Sequence, residues 1–288
     1  MEPYLKNVSG RWESTDMLLT AMVMCIDNIK KFYGINLILY TDSMTEHVLS
    51  ELTDNVDIVN VYDDIFKKDN IPLSFWCYPK LLTFRAQTEP YVHIDLDFII
   101  KRKFPDGWFD CDIFCQWYED LTYMDRSSDG ICSDKLYNRE RVKHLYEWSD
   151  WWDDPRHNNM YALNVGIMSI RNVDFNKLYC DTMFDFIDNN KDAMNQHDGT
   201  DMQIVPMVIE QQSLYHLAVQ EKQSIKTITR FFHDIPAPVN RYFTHFIGDW
   251  MKCTDFSKGV EQREYLLKPK MTQKINEMAR YVDSERLV

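Results

Sequence analysis

The chain predicts an α/β protein with a mostly parallel central sheet flanked by helices, and three observations carry that expectation. Residues 17–61 alternate helical and extended patterns at the spacing of crossover units. The extended run over 35–40 is nearly continuous in apolar residues, as strands covered on both faces tend to be. One run, Tyr91-Val92-His93-Ile94-Asp95-Leu96-Asp97-Phe98-Ile99-Ile100, carries two carboxylates one residue apart into a strand-like segment. Open α/β sheets bind their ligands at such strand tips.

Taken in order, Ser14-Thr15-Asp16 offers N-cap residues for a helix over 17–33. Its apolar positions are Leu18, Leu19, Met22, Val23, Ile26, Ile29 and Phe32; Lys30 and Lys31 fill the last turn and Gly34 ends it. Residues 35–40 read as a strand. Thr41-Asp42-Ser43 opens a helix to about Leu52, and 56–62 alternates as the next strand. Residues 74–87 predict a helix bearing Lys80 and Arg85, stopped by Glu89-Pro90 ahead of the aspartate strand.

From 117 to 160 the pattern breaks into an aromatic-rich helical insertion, with Trp117, Tyr118, Tyr123, Tyr137, Tyr146, Trp148, Trp151 and Trp152 among interleaved charges. It reads either as packed surface helices or as a wall for sugar rings. Residues 161–170 predict a strand with Asn164 and Gly166 inside it. Glycine there marks close backbone approach, and Asn164 among apolar neighbours needs a specific hydrogen-bond partner. Residues 175–189 and 201–219 read as helices, the second interrupted near Pro206 and carrying Glu210-Gln211-Gln212; 226–232 reads as a strand. With no convincing linker, one catalytic domain is expected over 1–255, followed by a C-terminal helical extension over 256–288.

Composition excludes several classes. The 288 residues are 45% hydrophobic and 27% charged, with only 8 glycines, so a folded core is expected and low-complexity readings fall away. A net charge of −13 argues against a nucleic-acid-coating surface. Seven cysteines form an odd set without scaffold spacing. With no apolar leader and no 18-residue apolar run, they predict free thiols in a cytoplasmic protein without a membrane span.

The Asp95/Asp97 pair points to chemistry because two carboxylates at the end of an apolar run are costly without a positive partner. Hard oxygen ligands suit Mg²⁺ or Mn²⁺ shared with substrate phosphates. A second copy, Asp110-Cys111-Asp112, follows the turn signature Pro105-Asp106-Gly107 and reads as a loop or a sheet edge. There is no G-x-x-x-x-G-K-[ST], G-x-G-x-x-G, G-x-S-x-G or H-E-x-x-H, which leaves the matching nucleotide, hydrolase and protease readings without support.

An ordered set then stands out: Thr41-Asp42 after an early strand, Lys80 before the aspartate strand, Asp95-Leu96-Asp97, Asn164-Val165-Gly166, Glu210-Gln211, and His245-Phe246-Ile247-Gly248 with Lys252. It resembles the GT-A glycosyltransferases, in particular the retaining group that includes glycogenin, galactinol synthase and bacterial lipopolysaccharide galactosyltransferases, over residues 14–252. The resemblance implies a GT-A-type, Rossmann-like sheet. It also implies Mn²⁺ (or Mg²⁺) held by Asp95, Asp97 and His245, and a nucleotide-sugar donor, a UDP-sugar first, contacted by Thr41, Asp42, Lys80, Asp95, Gly166 and Gly248. Asn164, Glu210, Gln211 and Lys252 take the catalytic side. The implied reaction is hexosyl or pentosyl transfer with retention, to an acceptor the sequence does not name. Two other readings stay open. A nucleotidyltransferase would show a Gly-rich basic loop after its first strand, and a non-catalytic sugar- or partner-binding relative would tolerate loss of ligands from the Asp/Asp/His set.

Overall fold

The computed structural model describes residues 14–120, 161–196, 205–230, 242–245 and 269–285. The protein is mixed α/β, and its described residues fall into two compact units, each discontinuous in sequence. The first takes residues from 1–64, 95–104 and 237–288; the second takes them from 65–94 and 105–236.

The first unit is organised around α1 (Thr15–Tyr33). Its stretch from Met17 to Ile26 is buried at every position, as expected of a helix covered on all sides rather than along one stripe. Ser14 is the extended N-cap residue and Gly34 adopts φ 74°, the left-handed closure predicted at that position. β1 (Leu37–Thr41) and β2 (Val56–Val61) pair in parallel, joined by α2 (Ser43–Leu52), as the alternation of patterns predicts. β4 (Phe98–Ile100) and β10 (Phe243–His245) form an antiparallel pair. The last described helix, α7 (Pro269–Glu285), starts at a proline, a residue suited to the first helical turn. It lays Ile275, Ala279 and Val282 on the α1 core, and Thr15 donates to Asp283 at 2.6 Å.

The second unit contains the four-stranded sheet β3-β8-β5-β9 (Tyr91–Ile94, Ile167–Ile170, Ile113–Cys115, Ile225–Thr227). β8 runs antiparallel to β3 and β5, and β9 runs parallel to β5. The short α3 (Ile65–Lys68) opens the unit, and α4 (Tyr78–Arg85), α5 (Val173–Gln196) and α6 (Ser213–Gln220) contribute to its core. A single mostly parallel central sheet is not found among the described residues, where the sheets are small and mixed. The reason is the route into β8. It follows β7 (Tyr161–Leu163) after only three residues, and β7 pairs antiparallel with the segment that continues β5, so β8 meets β5 antiparallel as in a hairpin.

The predicted strand 161–170 is thus two strands separated by a bulge. β6 (Tyr118–Asp120) pairs with β7, Tyr118 opposite Leu163, while Cys115 of β5 lies opposite Met168 of β8. Between those pairs one side has residues 116–117 and the other residues 164–167, so the Asn164 side carries two more. Extra residues on one strand re-aim side chains. β6 and β7 also bracket the aromatic insertion, whose residues 121–160 lie outside the described residues. Ahead of α6, Val208–Gln212 makes a π turn in which Ser213 N–H donates to the Val208 carbonyl five residues back. The interruption expected near Pro206 therefore falls slightly later.

All five described cysteines are free and buried. Burial pushes the Cys77 and Cys115 thiols well above the ordinary 9.0 and Cys180 up to about 12. The folded state therefore keeps protons that the unfolded chain loses above about pH 9, and the stability these thiols contribute is complete below that pH and falls as pH rises through it. The melting temperature is expected to be flat from roughly pH 7 to 8.5 and to drop steadily above about pH 9, and calorimetry across that range checks it.

Candidate metal centre

The predicted strand 91–100 is interrupted where its carboxylates lie. β3 ends at Ile94 and β4 begins at Phe98. Asp95-Leu96-Asp97 makes a turn closed by Phe98 N–H donating to the Asp95 carbonyl at 2.9 Å. In the first unit, β10 brings His245 opposite Phe98. The Phe98 ring stacks on Phe243 with centroids 4.6 Å apart and lies 5.5 Å from the His245 ring, and Leu96 packs against the α1 core. Apolar packing therefore anchors the turn through Leu96 and flanks the imidazole through Phe98. One ligand atom each from Asp95, Asp97 and His245 lies within 4.8 Å of the others, and His245 Nε2 is 3.3 Å from Asp97 Oδ1. Side-chain exposure is 21% for Asp97 and 8% for His245, so the group is partly open.

The donor set fits a divalent cation. Two carboxylates supply hard oxygens, and the imidazole tilts the preference from Mg²⁺ toward Mn²⁺. Cys25, which the sequence reading did not single out, lies beneath the turn and donates its S–H to the Asp95 carbonyl at 3.7 Å. Burial, then the charges of Asp97 and Asp95, push its thiol far up. It stays protonated and adds no thiolate of the kind that recruits zinc. Nothing in the apolar run around Cys25 could have signalled this.

Other expected site residues of the first unit have local partners. Asp42 is the N-cap of α2, with Oδ1 accepting from Thr45 N–H at 2.8 Å and Oδ2 from Thr45 Oγ1 at 3.1 Å. That satisfies one of the orphan donors at the start of the helix. Thr41 is buried at the end of β1, its carbonyl accepting from Tyr62 N–H. Gly248 and Lys252 lie outside the described residues.

In the second unit, Lys80 and Glu210 meet each other: Nζ is 2.7 Å from Oε1, with side-chain exposures of 19% and 0%. The π turn carries Glu210 to that position, and the Lys80 ammonium also sits 5.7 Å from the Trp76 ring centroid. Lys80 thus has a structural partner besides any role toward phosphates. Gln211, next on the turn, has a buried Oε1 with no hydrogen-bond partner among the described residues.

Asn164 has the specific partners its apolar neighbours demand. Its Oδ1 accepts from Gly166 N–H at 3.1 Å, and its Nδ2 donates to Glu119 Oε1 at 3.1 Å. Glu119, on β6, was missed because it falls where the aromatic insertion was expected to begin. The Asp110-Cys111-Asp112 copy lies in the bend leading into β5, a loop at the edge of a strand: Asp110 pairs with Arg171 at 2.6 Å, and Asp112 accepts from Ser224.

A family of unknown function (DUF6734) matches the chain over residues 2–278. No curated protein and no solved structure matches it significantly.

The Lys80–Glu210 pair carries a stability prediction. Truncating one partner leaves a buried charge uncompensated, so Lys80→Ala is expected to destabilise the fold by about 3 kcal/mol. The double replacement Lys80→Met/Glu210→Leu is expected to recover most of that. Urea denaturation of the two variants measures both.

Proposed function

The chain belongs to DUF6734, a family of unknown function, and for it we propose metal-dependent glycosyl transfer from a nucleoside-diphosphate sugar, a UDP-sugar first, with retention at the anomeric carbon. The observation that carries this reading is the Asp95–Asp97–His245 group, drawn from a turn and a strand that are distant in sequence, with ligand atoms within 4.8 Å of one another. The ordered resemblance of the sequence to retaining GT-A enzymes supplies the reaction class.

A divalent ion bound there offsets the charge that develops on a departing diphosphate. The chain's own residues do the rest. Phe98 and Phe243 hold the ligands in place from below, and the turn hydrogen bond from Phe98 N–H keeps both aspartates on one short segment. The resemblance assigns Asn164 to the sugar side; its amide is held by Gly166 N–H on the oxygen and by Glu119 on the nitrogen. No carboxylate general base is required of the chain in this reading, because the leaving phosphate takes the acceptor proton on the face it occupies. Buried free thiols agree with a reducing, cytoplasmic setting. No helix among the described residues is long and apolar enough to cross a membrane.

The test is a panel of UDP- and GDP-sugars incubated with the full chain and Mn²⁺, read as sugar release or transfer. Turnover is expected to fall by about 100-fold or more with EDTA or in Asp97→Ala, while the melting temperature of the variant stays near that of the wild type, since Asp97 is partly exposed. Full activity of Asp97→Ala, or of chelated protein, overturns the reading. ¹H NMR of the first-formed product reads the anomer, and inversion would remove the retaining assignment.

A further inference from the structure

We infer that Cys25 is a positioning residue of the metal centre, whose thiol sets the direction in which the Asp95 and Asp97 carboxylates face; the inference rests on the metal reading above. The starting point is the peptide that joins Asp95 to Leu96. A carbonyl oxygen has two lone pairs and accepts two hydrogen bonds. That of Asp95 takes one from Phe98 N–H at 2.9 Å and one from Cys25 S–H at 3.7 Å. The first bond closes the turn on itself. The second ties the turn to a separate element, α1. Together they oppose rotation of this peptide plane, the motion that would swing one carboxylate away from the other.

The helix is placed to act as a template for the segment that carries the ligands. Met17 to Ile26 are buried throughout. Met24 and Ile26 join the apolar cluster along α1, whereas Cys25, fully buried between them, is not among its members. Its side chain is given to the aspartate turn instead. The helix meets the same segment twice more. Ile99 lies within the α1 cluster, and Phe104 N–H donates to the Tyr33 hydroxyl at 2.9 Å. Positions 25 and 33 are eight apart and share one face of the helix. Residues 95–104 are therefore held at both ends and in the middle, and Cys25 makes the hold nearest the ligands. A thiol packs like a small apolar group and is a weak donor, so this bond adds little to the fold as a whole. Bonds that orient ligating groups matter more to the ion, and losing one commonly weakens metal binding 10–100-fold.

Three replacements separate the donor from the packing. Cys25→Ser keeps a donor, Cys25→Val keeps apolar bulk without one, and Cys25→Ala removes both. Mn²⁺ binding is measured on the full chain by calorimetry and by the EPR signal of the free ion, with melting curves taken in the absence of metal. Asp97→Ala, expected to abolish the binding, identifies the ion that belongs to this site. Cys25→Val and Cys25→Ala are expected to bind Mn²⁺ about tenfold more weakly, and Cys25→Ser to bind close to the wild type, with Cys25→Val melting near the wild type. Affinity that follows volume instead, with Cys25→Val like the wild type and Cys25→Ser like Cys25→Ala, overturns the inference. Equal weakening in all three also overturns it, because packing then sets the turn. Unchanged affinity in all three removes the role of Cys25 and leaves the metal centre standing. If the wild type binds neither Mn²⁺ nor Mg²⁺, or Asp97→Ala binds as well as the wild type, the metal reading and this inference fall together.

Discussion

The pairing of β4 with β10 is the constraint on which the candidate metal centre depends. Asp95 and Asp97 are neighbours in sequence and would share a turn in many folds. His245 joins them only because the backbone ladder sets it opposite Phe98. A strand pair is a stiff way to do this. Its register has a period of two, and a slip by one residue would turn the imidazole to the other face. The stacked Phe98 and Phe243 rings oppose such a slip from below. The chemistry of the site thus rests on a short, largely apolar strand pair.

Much of the first unit was legible in the sequence, for local reasons. Periodicity marked α1, a glycine free to take positive φ marked its end, and alternation of pattern gave the parallel β1–β2 pair. What was not legible depends on partners far apart in the chain. The apolar run 91–100 looks continuous because Leu96 packs, partly buried, against the α1 core, although the backbone turns there. The direction of β8 is set by what precedes it rather than by its own composition. Lys80 and Glu210 each looked like a group facing a ligand, and nothing local says they face each other. His245 entered the ligand set through resemblance alone, and the structure supplies the geometric ground for it.

The second unit holds two carboxylates out of water by different means. Glu210 sits against an ammonium and is compensated within the protein. Glu119 has an amide on one oxygen and, among the described residues, no donor on the other. An uncompensated group of this kind is usually removed when stability alone matters and is kept where activity needs it.

The π turn at Val208–Gln212 acts as a phase shifter. An α-helix advances about 100° per residue, so one additional residue within a turn rotates everything before it relative to everything after it by that angle. Glu210 and Gln211 point where they do because of this offset, while α6 continues in its own packing register. The spacing between these residues and α6 is therefore an angular quantity as well as a length. A loop can gain or lose a residue and leave its flanks facing as before, but removal of one residue here would let the helix regularise and swing the polar group away from Lys80. Indels in this segment should thus be read as changes of direction.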